Sequence, residues 1–219
     1  VYPAVVTDNQ DPEQMGRVKV ALPWVPDAGG ISGVEKGGHY EAWARLATLS
    51  AGSGRGSWFL PEVEDEVLVS FEAGIPSRPV VVGALWNGED TPPVVADEGN
   101  TVKLLRTRGG SEIRFHDEEG EETVEIRTSG GQSLRLANAQ GGTVQIRDGN
   151  GNSVGLGATG ITLESPAGIH LTAGTLTLDA GMVTINAGMV SCSGVVKSDT
   201  VITNSVVAKS YTPGAGNIW

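Results

Sequence analysis

Apolar residues recur along the second half of the chain in pairs split by one residue: Leu134/Leu136, Val144/Ile146, Val154/Leu156, Ile161/Leu163, Ile169/Leu171, Leu176/Leu178, Val183/Ile185 and Val190/Cys192. Their first members are spaced 10, 10, 7, 8, 7, 7 and 7 residues apart. Turn-forming residues separate them, most visibly Asp179-Ala180-Gly181-Met182 and Asn186-Ala187-Gly188-Met189. Apolar residues at alternate positions give a strand one apolar face, and the turns keep each strand short. A short strand with two inward side chains cannot make a core by itself. Each unit must therefore stack on others, and this requirement constrains the fold more than any other feature.

Two arrangements satisfy it. One chain stacks its own coils as a parallel β-helix, or three chains wrap one axis and each supplies a face of a triangular prism. A seven- to eight-residue unit suits one strand plus a bend per face, which favours the three-chain prism, with Val, Ile and Leu inside and Thr, Ser and Asn outside. Toward the end the pairs become adjacent (Val195-Val196, Val201-Ile202, Val206-Val207). Neighbouring strand residues face opposite ways, so the cross-section should change there. The last residues restore aromatics. Tyr211, Pro213, Asn217, Ile218 and Trp219 are the candidate cap or docking surface; a loosely packed tail is the alternative.

Composition divides the chain in the same way. Residues 1–95 hold four of the five tryptophans, with 13 acidic and six basic side chains. From Gly151 onward only Glu164, Asp179, Asp199, Lys197 and Lys209 carry charge. The first part contains short strand patterns at 2–7, 16–22, 41–47, 65–71 and 79–86, separated by Gly, Pro and Asp turns. Such a run predicts a small Greek-key barrel of the OB type. The expected fold is all-β: an OB-fold domain over 1–95, an intertwined trimeric triangular β-helix over 96–208, and a C-terminal segment over 209–219.

The composition also excludes functions. The net charge of −11 argues against nucleic acid as a partner, because gripping phosphate needs a basic face. No apolar run reaches the roughly 20 residues of a membrane-spanning helix. One cysteine forms no internal disulfide and points to a reducing compartment.

No candidate chemistry survives inspection. Glu62, Glu64, Asp65 and Glu66 crowd together, but the alternation into a strand puts Glu64 and Glu66 on one solvated face. Gly52-Ser53-Gly54-Arg55-Gly56 lacks the Lys-Ser/Thr and helix of a phosphate loop and reads as a hairpin loop. His39 lies in a glycine-rich stretch, while His116 and His170 alternate with apolar neighbours and should point outward. None stands at metal-ligand spacing, and Cys192 shares the inward parity of Val190. The expectation is no enzyme, no cofactor and no metal.

Several ordered motifs then carry a likeness. Met15-Gly16-Arg17-Val18-Lys19-Val20-Ala21-Leu22-Pro23-Trp24 resembles the GRVKVxFPW segment of the VgrG and phage baseplate assembly protein V family. Trp43 to Ala47, Gly54 to Val63, Asp65 to Phe71, Arg78 to Gly88 and Thr91-Pro92-Pro93 follow in that family's order. Ser111-Glu112-Ile113-Arg114-Phe115-His116-Asp117 resembles the ELRFxD opening of its spike.

The resemblance implies a homotrimeric central spike of a contractile injection system: a phage tail, a type VI secretion system or an extracellular contractile particle. It implies a structural protein in which an OB-fold joins baseplate hub and inner-tube proteins to a membrane-puncturing β-helix. A PAAR-type tip protein is expected at the C-terminal end, with the target membrane touched only on firing. Such a spike is assembled in the cytoplasm within the particle or virion baseplate and delivered outside the cell or into a target cell. In that family a hub domain usually precedes the barrel, and a sequence beginning at Val1 is expected to be a trimmed piece of such a protein. Some phage spikes insert a lysozyme domain after the barrel, and some carry a His-x-His iron site at the tip; this sequence has neither motif. The alternative is a β-helical tailspike that binds or degrades carbohydrate, which would need aromatic side chains on the repeats, yet residues 117–210 contain none.

Overall fold

The computed structural model describes residues 1–25 and 39–210. Among these there is no α-helix; the helical pieces are two 3-10 turns, Glu72–Gly74 and Ala139–Gly141. Strands β1 (Tyr2–Asp8), β2 (Val18–Leu22) and β3 (Tyr40–Leu46) are followed by a small hairpin of β4 (Ala51–Gly52) and β5 (Arg55–Gly56). Next come β6 (Glu66–Phe71) and β7 (Pro79–Ala84). Five of these strands close a barrel in the order β1-β2-β3-β7-β6. β1 pairs antiparallel with both β2 and β6, and a parallel β3–β7 contact at Arg45↔Val80 and Leu46↔Val81 completes the closure. This is the five-stranded Greek-key arrangement expected of an OB-fold.

The barrel's core follows from strand parity. Ala4 and Val6, then Val18, Val20 and Leu22, then Ala44, Val67, Val69 and Val81 point inward and are at most 1% exposed. Small β-branched side chains suit a five-stranded interior too narrow for aromatic rings. The rings lie on the outside instead: Tyr2 stacks on Trp24 with centroids 4.3 Å apart, and Phe71 meets Trp24 edge-on at 6.1 Å. The Trp24 indole N–H donates to the Pro3 carbonyl at 2.8 Å.

Asp11 organises the β1–β2 loop. Its carboxylate accepts the backbone N–H groups of Glu13, Met15 and Arg17 and pairs with the Arg17 guanidinium at 2.8 Å. The Arg17 hydrogen bond, helped by the backbone donors, holds this carboxyl well below the usual carboxylate range. Gly16 ends the loop at φ +72°, with the Trp58 ring 2.8 Å from where a Cβ would stand.

The second part forms one seven-stranded antiparallel meander: β8 (Val102–Arg106), β9 (Glu112–His116), β10 (Thr123–Arg127), β11 (Ser133–Ala137), β12 (Thr143–Arg147), β13 (Ser153–Gly157) and β14 (Gly160–Glu164). Its turns alternate between two rims. At one rim Thr107, Thr128 and Asp148 each donate a backbone N–H to the carbonyl of Ser111, Gln132 and Asn152 respectively. Gly110, Gly131 and Gly151 supply the left-handed residue of these turns. Successive turns touch: a Cβ on Gly149 would lie 2.8 Å from the Gly130 carbonyl oxygen. The repeat in this stretch is thus a hairpin of about 20 residues, twice the apolar spacing, because each ten-residue unit reverses the chain.

The chain divides into two compact units, Val1–Ile169 and His170–Trp219. In the described part of the second, 170–210, no strand ladder forms within the chain and every residue is exposed. One apparent repeat is therefore two. A seven-residue unit has odd length, so a straight strand cannot keep successive pairs on one face. Bends fall at the Ala-Gly steps, at Gly174, Gly181 and Gly188, and these segments form no ladder with any described residue.

Candidate functional site

The register of the meander aligns the apolar positions into two rows. One runs Lys103–Phe115–Val124–Leu136–Val144–Leu156–Ile161. The other runs Leu105–Ile113–Ile126–Leu134–Ile146–Val154–Leu163. Only Lys103 breaks the apolar character, so one face of the sheet is continuously hydrophobic. Nothing among the described residues covers it: Ile126 is 44% exposed, Ile146 49% and Leu163 52%. The face is hollowed into a trough of about 630 Å³ whose floor includes Ile126, Leu134, Ile146, Val154, Leu163 and Ile169. Monomeric proteins rarely leave so large a contiguous apolar surface in water.

The opposite face carries Val102 and Leu104 on β8 and, beside them, a cross-strand ladder of alternating charge. Arg106, Glu112 and Arg127 are neighbours across β8, β9 and β10; Arg114, Glu125 and Arg135 are neighbours across β9, β10 and β11. Glu112, only 6% exposed, accepts from Arg106 at 2.6 Å and from Arg114 at 3.2 Å. The Arg106 hydrogen bond, followed by Arg114, lowers its pKa. Opposite charges at directly facing positions stabilise a sheet and penalise a register slip.

The structure revises several expectations from sequence. Glu64 is not in a strand: it sits at φ +83° in a turn closed by the Asp65 N–H on the Glu62 carbonyl, and β6 begins only at Glu66. The turn wins because the Asp65 side chain also caps the Glu62 N–H at 2.8 Å. Glu62 pairs with Arg108 at 3.4 Å, and both line a concavity of about 650 Å³ with Trp58, Phe59 and Pro61. The Gly52–Gly56 segment forms the β4–β5 hairpin, as anticipated.

His116 lies on the polar face of β9, 3.7 Å from Glu118, and His39 and His170 are exposed. Among the described residues no group of three metal-ligating side chains converges. Cys192, expected inside, is exposed in the single chain, as are Val190 at 63% and Ile185 at 66%. The difference has the same origin as the uncovered rows: one chain has no interior here. Tyr211, Pro213, Asn217, Ile218 and Trp219 lie outside the described residues.

Sequence spacing alone began the rows at Leu134. It missed Leu105, Ile113, Phe115, Val124 and Ile126 as members of the same rows. Their alternation is visible in the sequence, but the intervening acidic turn at 117–122 disguises the period.

A small closed barrel followed by an all-β segment with one uncovered apolar face defines a class of protein: a barrel adaptor carrying a spike that oligomerises. Residues 2–86 match the family described as the type VI secretion system/phage-baseplate injector OB domain. Residues 123–191 match the phage baseplate V C-terminal trimerisation domain. The chain belongs to the VgrG and phage baseplate assembly protein V central-spike family.

Among relatives, the type VI secretion system spike protein VgrG3 of Vibrio cholerae is 35% identical over 117 residues, 51% of this chain and 11% of that protein. VgrG1b of Pseudomonas aeruginosa, also named a type VI secretion system spike protein, is 31% identical over 134 residues, 58% of this chain and 17% of its own length. A third, from Vibrio cholerae, is named actin cross-linking toxin VgrG1 and is 31% identical over 117 residues, 51% of this chain and 10% of that protein. The chain thus spans a fifth or less of the length of these curated relatives.

Proposed function

We propose that this chain is the structural central spike of a contractile injection apparatus, working as a homotrimer that pierces a target envelope. The observation that carries the reading is the pair of apolar rows on an uncovered sheet face. Three such faces turned toward one axis bury each other, and the match to a trimerisation domain supports that stoichiometry. The family's spike role supports docking to baseplate hub and inner-tube proteins. We assign residues 1–95 to the OB-fold, 96–208 to the β-helix and 209–219 to a segment that binds a PAAR-type tip protein.

Mechanically the spike is passive. Force supplied elsewhere is transmitted along a stiff prism, which resists because a core shared among three chains must be broken in all three together. The bends between 165 and 210 favour winding of three chains about one another, since those segments need strand partners from outside the chain. No catalytic step is assigned to these residues. Assembly in the cytoplasm and delivery outside the cell or into a target cell follow from the spike role.

The test is the mass in solution. Light scattering on the full chain is expected to give the mass of three chains, resistant to dilution. A monomer at all concentrations would overturn the proposal. Pull-down with a PAAR-type protein, retained by the full chain and lost on truncation after Lys209, tests the tip assignment separately.

A further inference from the structure

At the level of β9 and β10 the two lateral rims of the meander carry opposite charge, and this polarity goes beyond the trimer reading on which it rests. The strands follow one another in chain order from β8 to β14, so the chain advances in one direction across the sheet, by roughly 4.8 Å per strand. The strand ends are therefore the sheet's sides. One side, level with β9 and β10, is the turn Asp117-Glu118-Glu119-Gly120-Glu121-Glu122, with five carboxylates in six residues. The Glu118 side chain there is 61% exposed. The opposite side at the same level presents Arg106, Arg108 and Arg127. Arg106 is held by Glu112, but the Arg108 side chain is 84% exposed and that of Arg127 is 54% exposed. Their in-chain partners are weakly placed, Glu62 at 3.4 Å and Glu125 at 3.9 Å.

When three sheets turn their apolar faces to a common threefold axis, neighbouring copies meet along these sides. Rotation by one-third of a turn brings the left side of one copy against the right side of the next, never like against like. The contact is heterologous and closes after three copies. We infer that the acidic 117–122 turn of one copy docks beside Arg108 and Arg127 of the adjacent copy, and that this charge pairing selects head-to-tail closure of the trimer. A side-by-side dimer joining two acidic rims, or a flipped copy, sets like charges together and is rejected. The apolar rows supply most of the affinity but little direction, because contact between aliphatic side chains is non-directional. The rims supply direction and faster encounter, as complementary charge generally does.

The experiment is a charge swap in the full chain. One variant carries Glu118→Lys, Glu119→Lys and Glu121→Lys; a second carries Arg108→Glu and Arg127→Glu; a third carries all five. Refolding from denaturant at low salt is followed by light scattering, with tryptophan near-ultraviolet circular dichroism reporting the barrel. Each partial reversal is expected to slow trimer formation by about tenfold or more, while the five-residue swap returns within about threefold of wild type. High salt should shrink all these differences. If either partial reversal assembles like wild type, or if the full swap is worse than both, the inference is overturned while the trimer reading stands. A monomeric wild type would overturn both.

Discussion

The barrel and the meander use the same kind of strand to opposite ends. In the barrel, alternate residues such as Val20, Val67 and Val81 meet inside one chain and are at most 1% exposed. In the meander, alternate residues such as Ile126 and Ile146 are just as regular, yet remain 44% and 49% exposed. Closure makes the difference. Five strongly curved strands bring their own inner faces together, whereas a sequential meander presents one face outward. The barrel is thus a module that carries its own core, and the spike segment acquires one only by association.

The sharpest way to break this contrast is to place charge in each core. Ile126→Asp with Ile146→Asp should abolish the trimer, because three copies bury six carboxylates without partners. Light scattering would then report monomer. Four of the five tryptophans belong to residues 1–95, so the near-ultraviolet circular dichroism of the barrel should persist. Loss of that signal together with the trimer would show that the barrel depends on the spike.

The converse substitution, Val20→Asp, should unfold the barrel at a cost of about 4 kcal/mol or more while leaving a trimeric spike. Differential scanning calorimetry should show the earlier of two transitions disappear. A concerted loss of both transitions would sink the idea of independent cores.

A smaller effect is expected at the stacked turns. Gly149→Ala places a methyl against the Gly130 carbonyl and should destabilise the spike by about 1–3 kcal/mol without touching the barrel transition. Gly54→Ala, in the β4–β5 turn at φ +64° with open space around it, provides the control: backbone strain alone, of about 1 kcal/mol, in the barrel.

The mildest contrast is in acid. Asp148, hydrogen bonded by Asn152 and Asn150, has its pKa lowered to about 2. Its folded value lies below the unfolded one, so its contribution is present above about pH 4 and fades as pH falls toward 2. The melting-temperature gap between wild type and Asp148→Ala should therefore narrow over that window in the spike transition. Asp11→Ala should behave likewise in the barrel transition, with the gap persisting to lower pH, because Arg17 pulls that carboxyl down further. A gap independent of pH would rule out the ionised carboxylates as its source.

Much of this was readable before any coordinates. Period-two alternation marked the barrel strands to within a few residues, and the scarcity of charge after Gly151 marked a different kind of polymer. Glu64 is not legible from sequence, because a run of alternating Glu and Val looks like a strand and only the Asp65 side chain capping Glu62 makes it a turn. The rows were started too late because Glu118 to Glu122 hide the continuity between Phe115 and Val124. The two halves of the repeat looked alike because apolar spacing does not reveal whether a turn reverses the chain.

By itself the sequence determined that the molecule is all-β and that its second half offers paired apolar side chains on one face. These are local properties: side-chain parity and turn residues act within a few positions. The tertiary structure alone decided which strands pair in-chain, that Gly149 must lack a side chain, that Glu112 is clamped between Arg106 and Arg114, and that the acidic 117–122 turn lies on the rim opposite Arg108 and Arg127. Those facts depend on register and on the direction each turn sends the chain, and both are set by contacts between residues far apart in sequence.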